Sequence, residues 1–116
     1  MSYEESLERV LDPDGLYWRY PGDEQDDPQR ARLVEVRLDV RSELAETARS
    51  IMEKDGWALD SQADEETDPI QRLYFRKAIN LQAQSKIQML TVSLQAAHAA
   101  EGKFWSWING EDVGEN

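Results

Sequence analysis

The residues best suited to chemistry are few, and most fail on number or spacing. His98 is the only histidine, set in Ala96-Ala97-His98-Ala99-Ala100-Glu101. A metal centre built on helices takes two or more imidazoles, or carboxylates joined to a Glu-x-x-His pair, and here the order is reversed. The alanines instead suit close approach of another helix, with His98 at the edge of that contact. Carboxylates occur in runs, Glu4/Glu5/Glu8, Asp23/Glu24/Asp26/Asp27 and Asp64/Glu65/Glu66/Asp68. General acid-base work needs one carboxyl raised by burial, and these runs sit in polar surroundings. Asp60 to Asp68 has the acidity of a calcium loop but neither the central glycine nor the alternating ligands of an EF-hand. There is no cysteine, no glycine-rich phosphate loop, no Gly-x-Ser-x-Gly and no His-Glu-x-x-His. The reading is therefore no enzyme, no cofactor and no metal.

Binding chemistry is better represented. Arg72, Arg76, Lys77 and Lys86 form a basic group in an otherwise acidic chain and suit an acidic partner surface. Between Asn80 and Gln95 only Lys86 is charged, and neutral amides and hydroxyls are cheaper to desolvate than ions, so this stretch is read as partly buried. Phe104, Trp105 and Trp107 are of the type that anchors interfaces. With Leu90 and Leu94 these residues make up the expected partner-binding set.

The elements expected to position them are helices. Ser2 and Glu5 have capping-box spacing, predicting a short helix over 3–11 that ends at Asp12-Pro13-Asp14-Gly15. Asp27-Pro28 and Asp68-Pro69 each resemble an N-cap followed by proline at the first helical position. Steps of three and four link Leu33, Val36, Val40, Leu44, Ala48 and Ile51, and steps of three, four and seven place Phe75, Ile79, Ala83, Leu90, Leu94, Ala97 and Phe104 in one row. Gly56 suits the left-handed position after the first helix, and Gly102 a break in the second. The expected fold is all-α, a long antiparallel helical hairpin with a short N-terminal helix and the aromatic segment 16–22 laid across it. As one domain of 116 residues it divides into 1–27, helix 28–55, acidic connector 56–68, helix 69–109 and tail 110–116.

The net charge of −11 resides in 1–30, with nine acids against three bases, and in 57–69, with five against none. A general nucleic-acid binder needs a dominant basic stripe, so direct nucleic-acid binding is not expected. The N-terminus is acidic where a signal peptide is basic and then apolar, and no apolar run is long enough to span a membrane, which points to the cytoplasm, or to a virion for a viral source. Two long amphipathic helices display more apolar surface than the rest covers, so the chain is expected to self-associate or join a larger complex. The functional expectation is a non-enzymatic protein-protein interaction module, an adaptor or structural subunit of a viral particle or bacterial complex. The alternative is an acidic inhibitor that mimics nucleic acid and blocks a DNA- or RNA-binding enzyme.

Overall fold

The computed structural model describes residues 2–10, 31–62, 69–80 and 82–112. Ser2 accepts a hydrogen bond at its Oγ from the Glu5 backbone N–H at 3.2 Å, and helix α1 runs Tyr3–Val10 as the capping spacing requires. Strand β1 follows at Arg32–Arg41, then a 3-10 turn at Ser42–Leu44, α2 at Ala45–Lys54, β2 at Ala58–Gln62, β3 at Ile70–Ile79, α3 at Ala83–Ala99 and β4 at Lys103–Asp112. The four strands form one sheet in the order β2-β3-β1-β4, with every neighbouring pair antiparallel. From β1 onward this is the βαββαβ order with interleaved strands, the split βαβ or ferredoxin-like arrangement.

One face of the sheet packs on the helices. Val34, Val36, Leu38 and Val40 of β1 and Leu73 and Phe75 of β3 are buried against Ala48 and Met52 of α2 and Met89, Leu90, Leu94 and Ala97 of α3. In α3 this leaves Gln84, Gln88 and Gln95 outward and exposed. The core is tied by Asp55, after the end of α2. Its carboxylate accepts from Trp57 Nε1 at 3.1 Å and Gln88 Nε2 at 2.9 Å and pairs with Lys77 Nζ at 3.5 Å, which also donates to the Asp55 carbonyl.

Both larger helices end in a Schellman closure. After α2, Gly56 takes φ +91°, its N–H bonding to Glu53 O and that of Trp57 to Met52 O, as expected of this glycine. After α3 the left-handed residue is Glu101, φ 51°, and Gly102 serves a different need. A Cβ on Gly102 would stand 2.1 Å from the Asp39 carbonyl oxygen, because the turn into β4 lies directly against β1.

The expected all-α helical hairpin is wrong: the chain is α+β. Of the helix expected over 28–55, residues 32–41 are a strand and only 45–54 are α-helix; of that expected over 69–109, only 83–99 are helical. The physical reason lies in the periods. A step of four is also two steps of two, so Val36 and Val40 fit both lattices, but Leu38 and the intervening Glu35, Arg37 and Asp39 fit only the strand. Pro69 directly precedes strand β3, and its carbonyl accepts from Ser42 N–H at 2.9 Å. Asp27-Pro28, the aromatic segment 16–22, residues 63–68 of the connector and residues 113–116 of the tail lie outside the described residues. Among the described residues no helix is long and apolar enough to cross a membrane.

Candidate interaction face

The strand alternation that buries Val34, Val36, Leu38 and Val40 turns Glu35, Arg37, Asp39 and Arg41 to the other face of the sheet. In the β1–β3 register Glu35 stands opposite Arg76, Arg37 opposite Tyr74, Asp39 opposite Arg72 and Arg41 opposite Ile70, so these side chains share one surface. No described helix lies over it, since α2 and α3 both pack on the opposite side.

At its centre Arg37 donates to Asp39 through two parallel hydrogen bonds, Nε to Oδ1 at 3.2 Å and Nη2 to Oδ2 at 3.1 Å. Such paired bonds fix the guanidinium plane as well as its position. The guanidinium carbon lies 4.6 Å from the ring centre of Trp105, a cation–π distance. Trp105 reaches this face because β4 slips register between the partners of Arg37 and Leu38, opposite which stand Ser106 and Phe104. The extra residue of that bulge is Trp105, 56 % exposed. Arg72 Nε reaches Asp39 at 3.5 Å, and Arg76 Nε lies 3.0 Å from Glu35 and 3.4 Å from Asp60 of β2.

Burial pushes the Asp39 carboxyl up, but hydrogen bonds from Arg37 and Trp105 and the charges of Arg37 and Arg72 outweigh it and hold the group below its ordinary value. Arg37 is correspondingly raised, first by its hydrogen bond to Asp39, against the opposing effect of burial. Asp39 is thus an ionised anchor that orders two arginines and a tryptophan. No protein family, curated protein or solved structure matches this chain.

Of the expected partner-binding residues, the structure brings Arg72, Arg76 and Trp105 together here. Lys77 points to the helix side, into Asp55 and the Trp57 ring. Lys86 is buried with its ammonium 5.7 Å from the Trp107 ring centre. Leu90, Leu94 and Trp107 are core residues and Phe104 packs against the core. His98 is exposed on α3, its ring stacked on Tyr3 at 4.2 Å between centroids. Among the described residues no group of three or more His, Asp or Glu is placed to hold a metal ion. Arg37, Asp39 and Tyr74 belong to the site although the spacing argument passed over them. The signal that would have found Arg37 and Asp39 is the strict apolar-charged alternation from Val34 to Arg41, while Tyr74 is placed only by the β1–β3 register.

Proposed function

We propose that this chain is a non-enzymatic protein-binding module, an adaptor or subunit of a multi-protein assembly, and that it docks its partner on the sheet face opposite α2 and α3. The observation that carries this reading is Trp105: a large aromatic ring, more than half exposed, stacked on an arginine that is itself fixed by a carboxylate. Trp, Tyr and Arg dominate the energetics of protein interfaces, and Trp105, Arg37, Tyr74, Arg72 and Arg76 place all three types in one patch. Because the ion pairs already order the arginine side chains, little further rotamer freedom is lost when a partner arrives.

The test is capture of partners by the tagged chain from its native source, quantified for wild type, Trp105→Ala and Arg72→Glu. The expected result is loss of specific proteins from both variants, while far-UV circular dichroism stays that of the wild type. An identical set of proteins at unchanged amounts with all three baits would overturn the reading.

A second reading, the acidic inhibitor that mimics nucleic acid, draws on Glu4, Glu5 and Glu8, which are exposed together on α1, and on Glu46 and Glu53, exposed on α2. It places the contact on the helical side of the molecule. Its partner would be basic, its binding would weaken steeply with salt, and Trp105→Ala would leave it intact.

A further inference from the structure

We infer that the sheet face opposite α2 and α3 is also a self-association surface, on which a second copy of this chain docks face to face about a two-fold axis. The inference rests on the reading of this face as a protein-docking surface and specifies one occupant. Three observations lead to it.

The first is apolar exposure. Among the described residues only Ile70, at 46 %, and Trp105, at 56 %, are large hydrophobic side chains left exposed. Both belong to this face, Ile70 opposite Arg41 on β3 and Trp105 over Arg37 on the β4 side. The second is charge. Two bodies of net charge −11 repel, so they can meet only where each is locally neutral. The face carries five cations, Arg37, Arg41, Arg72, Arg76 and Lys103, the last opposite Asp39 on β4, and three carboxylates, Glu35, Asp39 and Asp60, with Glu43 and Glu101 at its end bringing the acids to five. Arg41 is further paired with Glu43 at 2.5 Å and Glu101 at 3.6 Å at the sheet's end. The remaining acids of α1 and α2 lie on the helical side, away from the contact. The third is area. Three strands of ten residues and one of five, at ~3.3 Å per residue and ~4.8 Å between strands, project a face of roughly 550 Å². A surface roughened by side chains exceeds its projection, which brings it to the order of 800 Å² that each partner contributes to a stable interface. A mixed-charge face is also self-complementary, since a two-fold can set the arginines of one copy against the carboxylates of the other.

The experiment is sedimentation equilibrium on the full chain from ~1 to ~200 µM, at low and high salt, for wild type, Trp105→Ala, Ile70→Asp and a helix-face control, Gln95→Asp. A dimer is expected for wild type and Gln95→Asp, with the dissociation constant raised at least ~tenfold in Trp105→Ala and dimer abolished in Ile70→Asp. The dimer is expected at both about 50 and about 500 mM salt, since screening weakens the repulsion between the acidic bodies and the ion pairs across the contact alike. A wild type that is monomeric throughout overturns the inference, as does a dimer unaffected by both face variants. If the chain is monomeric yet Trp105→Ala still releases its captured partners, the second copy is excluded and the docking reading stands. If neither mass nor partners respond, both fail.

Discussion

Of Gly56 and Gly102, the latter should be the one at which alanine does by far the greater damage. The added Cβ would lie 2.1 Å from Asp39 O and 2.6 Å from Val40 Cα, whereas real Cβ atoms keep at least 3.0 Å. Neither neighbour is a flexible side-chain end, so the α3–β4 turn must move off β1 by about 0.9 Å or more, the difference between those two distances. That movement breaks or stretches two backbone bonds, Gly102 N to Ala97 O at 2.8 Å and Arg41 N to Ala100 O at 3.1 Å. At ~1 kcal/mol for each bond and ~1–3 kcal/mol for the forced repacking, the loss comes to about 3–5 kcal/mol. Unfolding entropy of ~2.1 cal/mol/K per residue over 116 residues converts this to a fall in Tm of roughly 12–20 °C. Gly56→Ala is the internal control. Its φ of +91° strains alanine, but its Cβ would meet only the end of the Lys77 side chain, at 3.3 Å. The expected cost there is about 1–2 kcal/mol. Urea unfolding followed by circular dichroism measures both. A Gly102→Ala loss under ~1 kcal/mol, or one no larger than that of Gly56→Ala, would refute the claim that backbone contact between the turn and β1 limits this position.

Two further outcomes are expected. Because Asp39 is held below its ordinary value in the folded chain, it stabilises the fold above the unfolded carboxylate range near ~3.9 and loses that contribution as pH falls through its own lower value. Asp39→Asn should therefore melt below wild type at pH 7, with the gap closing under about pH 4; parallel Tm-against-pH curves would contradict this. Ser93 is fully buried in α3 with no hydrogen-bond partner for its hydroxyl among the described groups. Since a buried unpaired hydroxyl costs ~1–3 kcal/mol, Ser93→Ala should raise the unfolding midpoint, and a lowered midpoint would show that the hydroxyl is satisfied.

The parts of the fold legible in the sequence were those set by local chemistry. Ser2 and Glu5 placed α1, and Gly56 marked the end of α2, because a cap or a left-handed turn is decided within a few residues. The sheet was missed because its signal competes with a helical one: Val36 and Val40 satisfy both periods, and aspartate-proline pairs read equally well as helix starts and as breaks before a strand. Only the alternation of charge around Leu38 separated the two. The candidate site was legible in residue type and illegible in arrangement. Arg72, Arg76 and Trp105 stand out in the sequence because cations and aromatics suit binding, but on a helix Arg76 and Lys77 are neighbours on one flank, whereas in β3 they point to opposite faces. The bulge that turns Trp105 toward Arg37 depends on how β4 meets β1, which no local spacing announces.

The strand order also sets a schedule. β1 is central, yet both of its neighbours come later in the chain, β3 beginning at Ile70 and β4 ending at Asp112. At a synthesis rate of ~5–20 residues per second, β1 waits roughly 2–8 s with both edges unpaired before β3 is complete at Ile79, and longer with one edge open before β4 is. A strand in that position invites pairing with the wrong chain. Here Glu35, Arg37, Asp39 and Arg41 break the apolar residues one by one, so no two hydrophobic side chains are adjacent from Glu35 to Arg41. The charges that order this sheet face in the finished protein are also of the kind that act as gatekeepers beside apolar strand residues, disfavouring aggregation of the strand before its partners exist.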